Sequence, residues 1–354
     1  MNRSTVEIYE QAAGEYEARR KAWRRADARA FGRGVTTGGV RVDLGCGGGR
    51  YTKELGRPVV AVDAARAMLE LTRSQVPACL PVQADLERLP FRDGSVHGAW
   101  SNMAYHHFPR ERLPMALASL HWATAVGAPV DITVVHGAYA GTALPMDDFP
   151  GRYFACWEEQ PLADIVIGAG FDVETVEVLD GRNTHVRARR ARSLPDTVGA
   201  GMRVLVCGLN PSEYSADRGV GYARPGNRFW PAALQAKLVT RTLDPVHALM
   251  HDGVGITDLA KRATVRASDL HPDEYRAGLA RVERLVAWLQ PRVVCFVGLD
   301  GWRTAVDRKA VPGRQPSDIA GAIAYVMPST SGLNARTSLA ELTNHLRAVK
   351  KLAR

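Results

Sequence analysis

The sequence predicts an α/β chain of two domains in tandem, each built on a largely parallel sheet. Length is the first reason, because 354 residues exceed one ordinary domain and fit two of comparable size, each able to bury its own core. The second is that two short apolar runs, residues 40–44 and 204–207, lead straight into glycine-rich polar loops. Buried parallel strands do this where an open sheet gathers its ligand-binding groups. The third is charge: residues 1–190 hold 23 Lys/Arg against 23 Asp/Glu, residues 191–354 hold 23 against 14, and the whole excess of +9 falls in the second half. A basic domain beside a neutral one is the pattern of a polyanion-binding module joined to a module that does not bind polyanions.

Composition excludes several classes. The 46% apolar content is that of a globular chain, and no apolar run reaches the roughly eighteen residues of a membrane span. The N-terminal MNRSTVEIYEQ has no apolar core of a secretory signal, so the expected location is the cytoplasm and no membrane partner is expected. Cys46, Cys79, Cys156, Cys207 and Cys295 form no C-x-x-C pair. An odd count without ligand spacing predicts reduced, buried thiols and no zinc or iron–sulfur site.

In the first half, residues 40–44 read as a strand entering Gly45-Cys46-Gly47-Gly48-Gly49, followed by a helix. Residues 59–62 read as a second strand that ends at Asp63. Asp63 is placed to accept both hydroxyls of a ribose. Asp85 ends the next strand, 129–135 forms a later one, 158–169 an amphipathic helix, and 171–178 with 184–188 a closing pair. The glycine spacing differs from the G-x-G-x-x-G of dinucleotide folds. The segments VDLGCGGGR, VDAARAML and ADLERLPFRDGSVHGAWSNMAYHHF resemble class I S-adenosylmethionine-dependent methyltransferases, from about Tyr9 to Arg190. The resemblance implies a Rossmann-like sheet with S-adenosyl-L-methionine held by Asp43, Gly45, Gly47, Gly49, Asp63, Asp85, Leu86 and Ser101, Asp85 lying near the adenine.

The methyl acceptor is unknown from sequence. The fourth strand leads to Ser101-Asn102-Met103-Ala104-Tyr105-His106-His107, which has neither the N/D-P-P-Y/F element nor the Pro-Cys nucleophile of DNA methyltransferases. His106 or His107 can act as a general base toward an acceptor hydroxyl, or can be a structural residue capping the next helix. A helix over 15–33 carries Arg19, Arg20, Lys21, Arg24, Arg25 and Arg29, either as a solvated basic face or as an RNA contact. Residues 191–201, opening on a broken, Arg- and Pro-containing stretch, read as the linker between domains 1–190 and 202–354.

In the second half, the strand over 204–207 ends at Gly208, and Leu209, Asn210 and Pro211 follow where a crevice is expected. The Asn210 amide offers a donor and an acceptor without changing charge. Tyr222 supplies a flat stacking surface, and Arg224, Asn227 and Arg228 supply phosphate or base contacts. Near the far end, Ala324-Tyr325-Val326 reads as a strand that leads into Met327-Pro328-Ser329-Thr330-Ser331-Gly332-Leu333-Asn334.

The block GLNPSEYSADRGVGYARPGNRFW is similar to the first motif of the Mug/thymine-DNA-glycosylase branch of the uracil-DNA glycosylase superfamily, and MPSTSGLN to its second. GVGITDLAKRATVRASDL and LARVERLVAWLQPRVVCFVG also look like that family, so the resemblance runs from about Met202 to the C-terminus. It implies an α/β/α sandwich with a parallel sheet, needing no cofactor, that acts on double-stranded DNA bearing a deaminated or mismatched base. In that likeness Asn210 holds the attacking water, and Gly208, Leu209, Ser215 and Tyr222 hold the flipped base. Ser329, Thr330, Ser331, Gly332, Asn334 and Arg336 grip the backbone, and Leu333 is the wedge.

The GLNPS stretch of the first motif has no carboxylate, and Met327 stands where fast relatives keep an electrophilic His. The expected enzyme is therefore slow and biased toward U·G, since a wobble pair is easier to unstack. Ser212, where the family has Gly, either narrows the pocket against thymine or shifts the preferred base. Two overall readings stand: a bifunctional fusion, or a pair in which one half is a non-catalytic binding or damage-sensing module.

Overall fold

The apolar, β-branched runs form strands as their patterning requires: β1 (Arg41–Leu44) is buried along its length, and β2 (Val59–Asp63) is buried up to its terminal carboxylate. The computed structural model describes residues 2–145 and 147–354. These fall into two units, one reaching Ile167 and adding Phe171–Ala191, the other made of Gly168–Gly170 and Arg192–Arg354.

In the first unit β3 (Leu80–Gln83), β4 (Gly98–Asn102) and β5 (Pro129–Val135) extend the sheet, and β6 (Ala140–Gly141) pairs separately with β7 (Phe154–Ala155). β8 (Phe171–Leu179) and β9 (Asn183–Arg190) complete a seven-stranded sheet in the order β3-β2-β1-β4-β5-β9-β8. The first five strands in that order run parallel, while β9 pairs antiparallel with both β5 and β8. Strand order reverses at β1, so the crevice beyond its carboxyl end is the expected ligand position. The helices are α1 (Arg3–Arg19), α2 (Arg25–Gly34), α3 (Arg66–Gln75), α4 (Leu113–Ala123) and α5 (Glu159–Gly168).

Three local expectations change here. The single helix over 15–33 is two helices broken at 20–24, because Arg24 turns inward at 3% exposure and donates to Asp131 at 2.9 Å. Arg20 pairs with Asp148 and Arg29 with Glu54, so these arginines are tied to acidic partners and do not form one open basic face. After the glycine turn, residues 50–55 form turns and no helix. Gly45, Gly47 and Gly49 take φ of +69°, +54° and +84°, and Thr52 anchors the segment by donating to Asp43 at 2.6 Å. Asp85 lies two residues beyond β3 rather than at its end.

The second unit places β10 (Val204–Gly208), β11 (Val254–Asp258), β12 (Val293–Val297) and β14 (Ile323–Met327) in a parallel sheet of order β11-β10-β12-β14, with β13 (Gly313–Arg314) antiparallel at the β14 edge. Its helices are α6 (Glu213–Arg218), α7 (Phe229–Gln235), α8 (Pro245–His247), α9 (Pro272–Leu289), α10 (Leu299–Ala305) and α11 (Leu339–Leu352). Reciprocal capping boxes, His271 with Glu274 and Ser338 with Glu341, start α9 and α11. Val206, Phe229, Trp230, Cys295, Met327 and Leu342 share one core. Here too the order reverses at the first strand, putting the crevice at Gly208.

The stretch read as a linker is instead a strap on this unit. Ser193, Leu194, Asp196 and Val198 are buried, and Thr197 exchanges backbone hydrogen bonds with Ile256, each 2.9 Å. Asp196 accepts from Thr257 and Lys261 at 2.7 Å and from Arg281 at 2.6 Å. Burial opposes its charge, yet Arg281 and Lys261 outweigh it and hold the carboxyl below the usual range. Removing one partner of such a buried set leaves an unpaired charge, a cost of about 3–5 kcal/mol, so this strap is anchored. Among the described residues no helix is long and apolar enough to cross a membrane, and all five cysteines are free and buried.

Candidate functional site

In the first unit the residues beyond β1, β2 and β4 enclose a cavity of about 240 Å³. Asp43, Gly45, Gly47 and Asp63 line it; Gly49, Asp85, Leu86 and Ser101 do not. Gly45 has a conformational reason to be glycine, since at φ +69° a Cβ would collide with the Ala104 methyl. Asp63 accepts from the Gly47 and Ala65 amides, both at 2.9 Å, which ties the end of β2 to the glycine turn. Burial raises its pKa, and burial pushes Asp43 up to about 7, with Thr52 opposing and Asp63 adding. Ser101 points back to the Leu44 carbonyl at 3.3 Å, Leu86 is fully buried, and Gly49 presses on Thr72; these three support the walls.

The two histidines differ. Neither caps α4, whose N-cap is Arg112 without a side-chain bond; both sit in a 3₁₀ turn, Tyr105–His107. His107 is fully engaged: Nδ1 lies 2.6 Å from the Tyr153 carbonyl and so carries the proton, and Nε2 accepts from the Tyr9 hydroxyl at 2.8 Å. Burial lowers its pKa to about 4. His106 has no hydrogen bond at its buried Nδ1 among the described residues and stacks on Phe154, centroids 5.3 Å apart and 14° from parallel.

In the second unit the loop after β11 runs along the first motif. Gly208 stands in register with Asp258, Leu259 and Ala260 amides donate to the Gly208 and Leu209 carbonyls at 2.9 Å, and Thr264 donates to Pro211 at 3.2 Å. This aligns Asn210, whose Nδ2 donates to Thr264 Oγ1 at 2.7 Å and to the Arg262 carbonyl at 3.0 Å. With the nitrogen so occupied, Oδ1 is the acceptor that makes no hydrogen bond among the described residues. Ser212 caps α6 by accepting from the Ser215 amide at 3.2 Å, so the side chain that replaces glycine is absorbed locally.

Tyr222 adopts φ +61° and stacks on Phe229, ring centroids 4.2 Å apart, against the core. Its buried hydroxyl has no partner among the described residues and points at Gly208, where it would lie 3.0 Å from a Cβ. Asp258 meets it there: its carboxylate crowds the same position so closely that only glycine fits. Burial raises this carboxyl to about 6. Sequence reading missed Asp258. The signal was present, a carboxylate ending an apolar strand, the same pattern that singled out Asp63.

The remaining residues divide. Arg228 donates to the Thr337 carbonyl, to Ser331 at 3.0 Å and to Asn334 at 2.7 Å, and its amide donates to Thr330 at 2.9 Å. It therefore clamps the two motif loops together. Asn227 accepts from the Phe229 amide at 2.9 Å at the start of α7. Gly332 abuts the Gly226 carbonyl, where a Cβ would come within 2.9 Å. Asn334 braces its own loop by donating to Ser329 at 2.8 Å, and accepts from the Arg336 amide at 3.3 Å. Arg224 and Arg336 are exposed, and Leu333 is 83% exposed at the loop tip. Met327 is fully buried in the core, so this position presents no group to the crevice.

Each unit thus has an α/β fold with its polar groups gathered at the switch point of a parallel sheet. Residues 42–127 match the family model described as a methyltransferase domain, and residues 195–353 match that of the uracil DNA glycosylase superfamily. The chain carries one domain of each kind. Among solved structures, an S-adenosylmethionine-dependent methyltransferase from Mesorhizobium loti is similar at 23% identity, covering 48% of this chain and 98% of that one, with a TM-score of 0.39. The 1,6-didemethyltoxoflavin-N1-methyltransferase of Burkholderia thailandensis is similar at 19% identity, covering 53% and 88%, with a TM-score of 0.43.

Proposed function

We propose that the protein joins a DNA glycosylase, which excises uracil from double-stranded DNA and prefers U·G pairs, to a methyltransferase that uses S-adenosyl-L-methionine. The observation that carries the first part is the tethered Asn210 amide, oriented from behind by Thr264 and Arg262 so that Oδ1 can hold a water. The target base leaves the stack to reach this loop. Tyr222 stacks on it, and backbone groups of Gly208 and Leu209, with Ser215, read its edge. The C1′–N bond breaks, the base departs with the bonding electrons, water adds its oxygen to C1′ and gives up a proton to solvent, and the base anion takes one up from solvent. Asp258, negative above about pH 6, stabilises the positive sugar, supplying a charge that the GLNPS stretch lacks. Leu333 fills the gap in the duplex.

The test is single-turnover cleavage of a U·G duplex. Asn210→Ala lowers the rate by at least about 100-fold, the scale of losing an oriented polar group at a reacting centre. Leu333→Ala slows cleavage of duplex more than of single strands. Wild-type rates for Asn210→Ala, or equal loss on both substrates for Leu333→Ala, overturn these roles.

For the first unit, the cavity's chemistry supports the cofactor. Two carboxylates, Asp43 and Asp63, face a space beside the open Gly47 backbone. They suit a ribose diol and a cationic sulfonium with an ammonium group, and they repel the pyrophosphate of a dinucleotide. Bound there, S-adenosylmethionine supplies an activated methyl group.

A further inference from the structure

The first unit's cavity holds a buried nitrogen base that the fold does not use. Building on the methyltransferase reading, we propose that His106 is the general base for methyl transfer to the phenolic hydroxyl of a small aromatic acid bound in this cavity.

Geometry separates His106 from its neighbour. His107 has one ring nitrogen on the Tyr153 carbonyl and the other on Tyr9, whose oxygen in turn accepts from Arg152 at 2.8 Å, so no lone pair is left for a substrate. His106 lines the cavity at 2% exposure with its ring held by Phe154. Its Nδ1 is enclosed without a partner, which leaves the Nε2 edge as the one open to the cavity. Burial disfavours the imidazolium, so the ring rests neutral and keeps a lone pair to offer. The neighbouring Asn102, at the end of β4, also lines the cavity and has a buried Oδ1 with no partner among the described residues. Both groups line the same cavity as the two carboxylates that suit the cofactor.

The walls define the acceptor. Tyr9, Tyr16, Trp23 and Phe154 present aromatic surface suited to a planar ring. Of the cations lining the cavity, Arg20, Arg50 and Arg152 are paired with Asp148, Glu17 and Asp147. Lys21 has no ion pair among the described residues and is free to meet a carboxylate. In the reaction the phenolic oxygen gains the methyl group, the cofactor sulfur keeps the electron pair of the broken bond, and the phenolic proton passes to His106. The products are the aryl methyl ether, S-adenosylhomocysteine and a protonated imidazole that releases its proton to water.

The test uses the full-length protein and two probes. 4-Hydroxy-3-nitrobenzoate reports its own ionisation by absorbance and is titrated into protein saturated with S-adenosylhomocysteine; 3,4-dihydroxybenzoate is offered with radiolabelled S-adenosylmethionine. Wild type binds the nitrophenol and shifts it toward phenolate. His106→Gln binds S-adenosylhomocysteine within about twofold of wild type, leaves the probe protonated, and methylates 3,4-dihydroxybenzoate about 10²–10⁴-fold more slowly. His106→Asn, a smaller change, gives the same result, and its retained S-adenosylhomocysteine binding shows that the fold is intact. Equal rates and equal spectral shifts in variant and wild type overturn the base assignment. Failure of both probes to bind or react in protein that does bind S-adenosylhomocysteine overturns the acceptor class. Absence of S-adenosylhomocysteine binding in wild type defeats the methyltransferase reading itself.

Discussion

The Asn210 amide nitrogen donates to the Thr264 hydroxyl at 2.7 Å, and that hydroxyl donates onward to the Arg266 carbonyl at 2.8 Å. The relay has one direction, so the amide of Asn210 cannot flip without losing a bond, and its oxygen is kept from the Thr264 side. Thr264→Val breaks the relay while keeping shape. Its single-turnover rate on a U·G duplex falls about fivefold, the rate equivalent of one hydrogen bond near 1 kcal/mol, with DNA affinity unchanged.

Asp258 trades stability for charge. Its folded pKa lies near 6, above the ordinary 3.8, because of burial. The folded state therefore holds a proton that the unfolded chain releases, and the stability so contributed is complete below about pH 4 and lost as pH rises through 6. Asp258→Asn is expected to be more stable than wild type at pH 7.5, by on the order of 1–3 kcal/mol in urea unfolding, with no gain at pH 3.5. Under the proposed function the wild-type excision rate is expected to rise as pH passes about 6, and the same variant to lose that increase.

Arg228 separates a clamp from a phosphate contact. Its three carbonyl partners predict that Arg228→Ala loses about 2 kcal/mol of stability and disorders the 329–337 loop. A simple phosphate contact would leave stability alone and reduce the salt slope of DNA binding by about one. Thermal unfolding beside a salt titration of duplex binding distinguishes the two.

Asp63 is joined to the glycine turn through Gly47. Asp63→Ala removes both the ribose acceptor and that tie, and S-adenosylhomocysteine affinity by calorimetry falls at least about 100-fold, as expected for losing charge-assisted hydrogen bonds.

The strands around both crevices were legible because apolar β-branched runs that end in glycine are a local signal. β1 and β10 are such runs, β2 and β5 are apolar runs without the glycine, and β8 and β9 show as alternating segments. What failed locally failed for long-range reasons. The helix over 15–33 breaks because Arg24 finds Asp131, 107 positions away. The supposed linker is a strap because Asp196 finds Arg281, 85 positions away. Neither partner is visible in a window of twenty residues.

By itself the sequence determined that there are two α/β domains, which loops terminate their first strands, and which of the halves is basic. Those properties depend on residue type and on spacing along the chain. Only the tertiary structure decided which candidates face a crevice and which hold it up. It withdrew Met327 into the core, made Arg228 a clamp, brought Asp258 beside Gly208 in the first-motif loop, and left His106 free where His107 is bound. The physical reason is that a side chain's chemistry depends on whether its polar atoms are already satisfied, and the partners that satisfy them come from distant segments. For GLNPS, the facing loop from Asp258 to Thr264 settled how Asn210 is held.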